Sequence, residues 1–352
     1  QKQVSLCYKK LNMSKKNSNV ILKEGFKNYK NLSYIFYSFQ NQIYSFKKKN
    51  ILVAVSGGPD SLALVALIKA YSYKTKSKIF YALVDHNIRK NSSNEAQSVK
   101  KLLKKHQITL NILKNKKLID RNIQSKAREV RYELLVNFCK KKRINTILTA
   151  HNFEDQVETF FIRLSRGSGL HGLASMKQVT KLNKTITLVR PLLEFKKHDL
   201  IKISKLIFGT YYKDPTNKNT KYLRTRIRNF KKKIESIGIN YDQIFKSIKN
   251  LASSRDTLEI FFNKIYKDLV IKKRNLILIN VKKFNNLNQE MKMRVLNKSL
   301  KELTNSYYSP RSKKTINLIN QLEMNNSNSF TLAGCVILKD KNHIIIKKIK
   351  KN

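Results

Sequence analysis

Five short apolar runs alternate with helical patterns through the first two-thirds of the chain, and this alternation limits the fold more than any other feature. The runs are residues 51–55 (ILVAV), 79–84 (IFYALV), 108–113 (ITLNIL), 146–149 (TILT) and 185–189 (TITLV). Longer amphipathic patterns separate or follow them at about 61–72, 93–106, 124–142, 152–165 and 196–208. Continuous apolar strands joined through helices predict βαβ units around a parallel sheet. Crossovers in such units are right-handed, and ligands bind beyond the carboxyl ends of the strands. The chemistry is therefore expected just after those runs.

Residues 1–32 are basic and weakly patterned, and are expected to form a flexible extension. A catalytic domain is expected over 33–235. After that the style changes: 241–270, 286–304 and 312–324 read as helices, and 330–338 with 343–348 as a hairpin. This predicts a smaller α+β domain over 236–352. Met13, followed by Ser14-Lys15-Lys16, reads as a start, so residues 1–12 are expected to be an upstream readthrough, a processed remnant or a fragment edge, with a basic organelle-targeting remnant as a further option.

The formal net charge is +52, from 74 Lys+Arg against 22 Asp+Glu in 352 residues. Such an excess suits a polyanionic partner, nucleic acid first and an acidic membrane surface second. With 59 Lys against 15 Arg, however, an AT-rich genome would write much the same bias. Charge alone leaves RNA, membrane and codon bias open. No apolar run approaches the ~20 residues that span a bilayer. Cys7, Cys139 and Cys335 lie far apart, without a CxxC pair, which fits a reducing compartment.

The first strand runs into Ser56-Gly57-Gly58-Pro59-Asp60-Ser61, and a helix opens there. Two glycines let backbone N–H groups approach an anion, Ser56 and Ser61 add hydroxyls, and the helix N-terminus adds positive potential. The spacing is not that of a Walker A loop. Asp60 would repel a phosphate unless a divalent cation lay between them, so Mg²⁺ is expected. A glycine-rich turn with Asp60 as a helix cap is the plainer alternative.

Further blocks follow in order. They are Asp85-His86-Asn87-Ile88-Arg89 with Ser93 and Glu95-Ala96, then Ala127-Arg128-Glu129-Val130-Arg131-Tyr132. Next come His151-Asn152-Phe153-Glu154-Asp155-Gln156-Val157-Glu158-Thr159 and Arg163-Leu164-Ser165-Arg166-Gly167-Ser168-Gly169-Leu170. Arg190-Pro191-Leu192-Leu193, Asp214-Pro215-Thr216-Asn217 and Arg224-Thr225-Arg226-Ile227-Arg228 close the series. His151, Asp155 and Glu158 share a helix face at spacings of four and three. Either Asp60, Asp155 and Glu158 offer oxygen ligands to Mg²⁺ and His151 donates to a phosphate, or His151 caps the helix and Asp155 and Glu158 are solvated. Arg128 and Arg131 form either a phosphate grip or a surface pair with Glu129 and Glu133. Arg163 and Arg166 either face an anion or close a helix C-terminus. His86 is either a ligand contact or a structural hydrogen-bond partner.

The S-G-G-x-D-S loop resembles that of the PP-loop ATP pyrophosphatases. The blocks over roughly 50–230 resemble the tRNA(Ile)-lysidine synthetases of that superfamily. The resemblance implies a Rossmann-like α/β fold with a PP-loop and a smaller C-terminal α+β domain. It implies a ligase using ATP and Mg²⁺ on a tRNA(Ile) with a CAU anticodon. Cytidine at the first anticodon position would be adenylated at its 2-oxo group, and free L-lysine would then displace AMP to give lysidine. By residue, it implies catalytic roles for Asp60, His151, Asp155, Glu158 and Arg128. ATP contacts fall to Ser56, Gly57, Gly58, Pro59, Asp60, Ser61, His86 and Arg89, and metal contacts to Asp60 and Asp155. Substrate contacts fall to Arg131, Arg163, Arg166, Arg190, Arg224, Arg226 and Arg228. The expected setting is the cytoplasm, or an organelle stroma or matrix, without a membrane partner; a homodimer is an allowed assembly. Departures are Glu154 in place of the first Asp of the family's pair, Thr225 in place of Asn, and a short C-terminal part. A PP-loop tRNA thiolase and a non-catalytic RNA-binding module stay as alternatives; the first would require a cysteine pair or iron–sulfur cluster.

Overall fold

The computed structural model describes residues 16–46, 50–88, 91–115, 123–212, 220–304, 306, 310–324 and 329–349. The chain divides into two compact units, residues 1–251 and 252–352.

In the first unit the strands are β1 (Ile51–Val55), β2 (Ile79–Asp85), β3 (Leu110–Lys114), β4 (Thr146–Leu148), β5 (Val179–Lys181) and β6 (Thr187–Val189). They form one sheet in the order β3-β2-β1-β4-β6-β5. All neighbours are parallel except β5 and β6. The expected α/β fold with a parallel sheet is thus present. Side chains of β1 alternate between two cores: Ile51, Val53 and Val55 join one, Leu52 and Ala54 the other. That is the period of two a strand covered on both faces requires.

The helices in chain order begin with α1 (Lys16–Glu24), α2 (Lys30–Ile43), α3 (Pro59–Ser72), α4 (Ser92–Lys104) and α5 (Ile123–Lys141). They continue with α6 (Phe153–Leu164), α7 (Leu170–Leu173), α8 (Lys197–Phe208), α9 (Leu223–Ser236) and α10 (Tyr241–Leu269). Helix α3 is apolar all round and nearly every residue from Ser61 to Tyr71 is buried, as a helix enclosed on all sides must be. It packs between the sheet and helices α1 and α8. Helix α5 covers the opposite face through Leu135 and Cys139.

Two features were not expected. Residues 16–32 do not form a loose extension: Leu22 and Phe26 are fully buried, and Phe26 meets Phe36 at 5.7 Å between ring centroids. Gly25, at φ +65°, ends α1 and turns Phe26 inward. The surrounding Lys and Asn mask this short apolar cluster. Strand β5 is polar and short, features that blunt a sheet edge and also hide it from pattern reading. Residues 1–15 lie outside the described residues.

The second unit contains β7 (Val270–Lys272), β8 (Leu276–Asn280), α11 (Val281–Asn285), α12 (Gln289–Thr304) and α13 (Ser312–Met324). It ends in β9 (Ser329–Leu332), β10 (Cys335–Lys339) and β11 (His343–Lys348). Its five strands form an antiparallel sheet in the order β7-β8-β11-β10-β9. The expected strand 330–338 is two strands, because Ala333 and Gly334, at φ +53° and +76°, make a tight turn.

The sheet positions the loop after β1. Gly57 sits at φ +80°, and a Cβ there would meet Val99 Cγ2 at 2.6 Å. A left-handed backbone alone costs a non-glycine residue about 1–2 kcal/mol, and the close contact adds to it. Gly58 has extended backbone at φ −71°, and its added Cβ would lie 3.7 Å from Ser56 Oγ. Urea unfolding is therefore expected to show a larger stability loss for Gly57→Ala than for Gly58→Ala. Equal losses would contradict the strained geometry of Gly57.

Candidate active site

Strand order reverses beside β1: β2 and β3 lie to one side, β4 and β6 to the other. Val53 pairs with both Tyr81 and Leu148, so the loops after β1, β2 and β4 leave the sheet at one end. That is the switch point where α/β sheets bind ligands.

The loop after β1 is closed by Ser61. Its hydroxyl donates to Gly58 O at 2.9 Å and accepts from Ser56 N–H and Ser56 Oγ, both at 3.2 Å. Gly57 O accepts from Tyr212 N–H at 3.0 Å. Gly58 is the N-cap and Pro59 follows as the first helical residue, where its missing N–H and fixed φ cost nothing. The first intrahelical bond is Leu62 N–H to Gly58 O, at 3.0 Å. The N–H groups of Asp60 and Ser61 precede it and stand at the positive end of α3. Ser56 is exposed at the loop mouth.

Asp60 projects from this turn toward the start of α6. Burial raises its pKa to about 6; Lys197 and a hydrogen bond from the Asn152 side chain oppose that rise, and Asp155 and Glu154 reinforce it. Its Oδ1 is buried without a hydrogen-bond partner among the described residues. An orphaned carboxylate oxygen beside a second carboxylate is the donor set a hard divalent cation takes. No cluster of three or more His, Cys, Asp or Glu suited to a metal occurs among the described residues. Protein ligation by one or two carboxylates, with phosphate oxygens and water completing the shell, fits Mg²⁺. Asp60 and Asp155 therefore fit the group.

Asn152 caps α6. Asp155 N–H donates to Asn152 Oδ1 at 2.9 Å, and Asn152 N–H donates to Asp155 Oδ2 at 3.1 Å. This reciprocal box sets the Asp155 carboxylate at the helix start. Glu154 Oε2 accepts from Lys197 N–H at 2.9 Å, tying α6 to α8. His151 precedes the cap, and its Nδ1 lies 3.0 Å from Thr149 Oγ1. Burial drives its pKa well down; Asp155 opposes this, while Arg190, Arg128 and Arg224 add to it. His151 is therefore neutral at pH 7.

Glu158, one turn further, is buried. Arg228 grips it as a fork, Nε to Oε1 at 2.7 Å and Nη2 to Oε2 at 3.0 Å. Arg224 Nε lies 3.0 Å from Glu158 Oε2, and its Nη2 lies 3.8 Å from Asp155 Oδ1 and donates to Thr159 Oγ1 at 3.3 Å. Two of the three clustered arginines thus turn inward to carboxylates, while Arg226, on the other face of α9, is exposed. Arg163 donates to Gly172 O at 2.6 Å and Ser175 O at 2.9 Å, so it holds the α7 turn. Arg166 is exposed beside it. Arg190 is buried and donates to Lys177 O at 2.7 Å and Thr180 Oγ1 at 3.0 Å.

Arg128 and Arg131 are exposed on α5. The Arg128 guanidinium lies 5.2 Å from the Tyr132 ring centre. Arg131 acts on His86, whose pKa is lowered to about 4, first by burial and then by that charge. Arg89 and the Asp214–Asn217 block lie outside the described residues. The sequence blocks include Asp85 without a role for it; it accepts from Ser93 Oγ at 2.6 Å and Asn87 N–H at 3.0 Å. Asn152 and Thr149 likewise have no role in the sequence reading. The available signal was position, since each stands at the end of a strand or the first turn of a helix.

Residues 30–233 match the family model of the PP-loop domain. The chain is 35% identical over 317 residues to a tRNA(Ile)-lysidine synthase of Wolbachia pipientis wMel, covering 88% of this chain and 73% of that protein. It is 33% identical to the tRNA(Ile)-lysidine synthase of Wolbachia sp. subsp. Brugia malayi (strain TRS), covering 84% and 70%. For Rickettsia typhi (strain ATCC VR-144 / Wilmington) the identity is 30%, covering 88% and 72%. Among solved structures, the U34-tRNA thiolase NcsA from Methanococcus maripaludis aligns at a TM-score of 0.54. It is 16% identical, with 63% of this chain and 78% of that chain covered, and the likeness is one of fold.

The titrations have a measurable consequence in the ligand-free protein. His86 and His151 stay neutral when folded but protonate below about pH 6.5 when unfolded, so acidification from there toward pH 4 removes stability. Asp60 acts oppositely: its folded pKa of about 6 lies above the ordinary 3.8, so its contribution is lost as pH rises through that window. Asp60→Asn is expected to stabilise the ligand-free chain at pH 7 by about 1–3 kcal/mol, and to steepen its acid dependence. Urea midpoints from pH 4 to 7 check this; a variant that tracks the wild type would contradict the burial of Asp60.

Proposed function

The chain belongs to the tRNA(Ile)-lysidine synthases of the PP-loop family, and from that premise we propose that it ligates free lysine to C2 of the cytidine at the first anticodon position (34) of a CAU-anticodon tRNA(Ile). The product, lysidine, pairs with A instead of G and moves codon reading from AUG to AUA. The observation that carries this reading is the buried, unpartnered Oδ1 of Asp60 at the mouth of the 56–61 loop, beside the carboxylate of Asp155.

Each group has a task in the two-step reaction. The Asp60 and Ser61 N–H groups and the Ser56 hydroxyl meet phosphate oxygens at the α3 N-terminus. Asp60 and Asp155 would hold Mg²⁺, which would supply positive charge to neutralise the phosphates. His151 donates a hydrogen bond to the α-phosphate or to the departing pyrophosphate. Arg128, set beside His151, offers a planar fork of donors to the same charge. The cytosine 2-oxo group attacks the α-phosphate and pyrophosphate leaves; the lysine ε-amine then attacks C2 and AMP leaves. The protein's contribution is alignment and electrostatic complementarity. His86, at the end of β2, and Arg131, which acts on it, contact the nucleoside end of ATP, and Arg89 is assigned to the same end by its place in the sequence block. The exposed Arg166 and Arg226 face outward to the RNA backbone. Half-buried Arg163, buried Arg190 and the inward Arg224 and Arg228 shape the site by holding carbonyls and carboxylates. The carboxylates at the start of α6 supply the negative charge that attracts the lysine ammonium. The 33–235 segment carries this chemistry, and 236–352 contributes to tRNA docking.

The test uses the full chain with CAU-anticodon tRNA, ATP, Mg²⁺ and lysine. Digestion and mass spectrometry are expected to find a cytidine heavier by one lysine less one water, formed together with pyrophosphate and AMP. Asp60→Ala is expected to reduce pyrophosphate release by on the order of a hundredfold or more, with tRNA affinity unchanged within about twofold. Product formation with sulfide in place of lysine would overturn the reading in favour of a thiolase.

A further inference from the structure

Thr149 lies one residue beyond β4, and its N–H donates to Val189 O at 3.0 Å. The strand ladder therefore fixes its backbone. Its side chain is buried, with Oγ1 3.0 Å from His151 Nδ1. Among the described residues no other hydrogen bond reaches the Thr149 hydroxyl or the His151 ring.

A hydroxyl–imidazole pair has two possible senses. If Nδ1 carried the proton and donated to Thr149, the buried hydroxyl hydrogen would have no acceptor. Burying an unmet donor is costly and rare. If Thr149 donates to Nδ1, both groups are satisfied and the ring proton sits on Nε2. The charged groups that act on the ring are Asp155, Arg190, Arg128 and Arg224; the arginines are pure donors, and Asp155 accepts from Asn152 N–H with no hydrogen bond to the Thr149 hydroxyl, so none of them takes the hydroxyl hydrogen.

We propose that Thr149 is a positioning residue whose hydroxyl donates to Nδ1 of His151, fixing the ring as the neutral tautomer with its proton on Nε2. The inference rests on the reading of His151 as a phosphate contact and deepens it. A ring held this way presents a proton donor, which suits an anion, and lacks the free Nε2 lone pair that a base for the lysine ammonium would need.

The tautomer is read directly from nitrogen chemical shifts of the histidine-labelled full chain, with His151 assigned by its loss in His151→Gln. The expected spectrum has an unprotonated Nδ1 and a protonated Nε2 for His151 at pH 7. Thr149→Val is expected to lose that single state, and Thr149→Ser to restore it. In turnover, Thr149→Val should lower kcat for pyrophosphate release about tenfold, the rate equivalent of one hydrogen bond. KM for ATP should stay within about twofold, with Thr149→Ser near wild type. A protonated Nδ1 in the wild type would overturn the proposal, as would a Thr149→Val spectrum identical to wild type. Full activity of His151→Gln with the expected tautomer intact would instead remove the phosphate role of His151 and leave the positioning by Thr149 standing.

Discussion

The pairing of β1 with β4 is the constraint on which the site depends. These strands are neighbours in space but are separated in sequence by two complete βα units. Their parallel register, Ile51 opposite Thr146 and Val53 opposite Leu148, delivers two helix N-termini to one edge of the sheet. One follows the 56–61 loop and the other follows His151. Each brings the positive potential of a helix start, α3 with the open N–H groups of Asp60 and Ser61 and α6 with its capping box, and each carries a carboxylate in its first turn, Asp60 and Asp155. Two anions placed at two positive helix ends make a site that is incomplete without a cation and phosphates.

Charge in this chain divides by residue type and by burial. Glu158 is enclosed and satisfied by two arginines, a costly arrangement to break because one partner would be left uncompensated. Asp60 is enclosed, with burial raising its pKa and its Oδ1 left without a partner among the described residues, which marks it for a ligand. Of the arginines, few against many lysines, Arg224 and Arg228 meet the α6 carboxylates and Arg163 and Arg190 hold the turns that frame them. Several serve the architecture before any substrate arrives: Arg163 and Arg190 cap backbone carbonyls, and Arg228 clamps Glu158. The +52 net charge is thus a poor guide by itself; where the rare arginines point is more informative.

Much of this was legible in the sequence, for physical reasons. Parallel strands buried on both faces read as unbroken apolar runs, and the phosphate loop has to be glycine-rich, so β1, β2, β4 and the loop stood out. The rest depended on partners distant in sequence. The burial of α1 rests on Leu22 and Phe26 meeting α3 and Phe36, which no local pattern encodes. Strands β7 and β8 follow directly from a long helix and blur its end. The inward turn of Arg224 and Arg228 follows from the buried position of Glu158, some seventy residues earlier in the chain. Thr149 and Asn152 carry no unusual chemistry in themselves; only their places beside His151 and Asp155 give them roles.

The central claim is that the 56–61 loop and the start of α6 hold ATP for attack at its α-phosphate by the RNA. The most direct measurement supplies ATP radiolabelled at the α- or the γ-phosphate to the full chain with CAU-anticodon tRNA, omits lysine, and follows the label. The account predicts that the α label becomes attached to the tRNA and is released as AMP when lysine is added, while the γ label leaves as pyrophosphate. Label from the γ-phosphate on the tRNA, or α label on lysine itself, would contradict it.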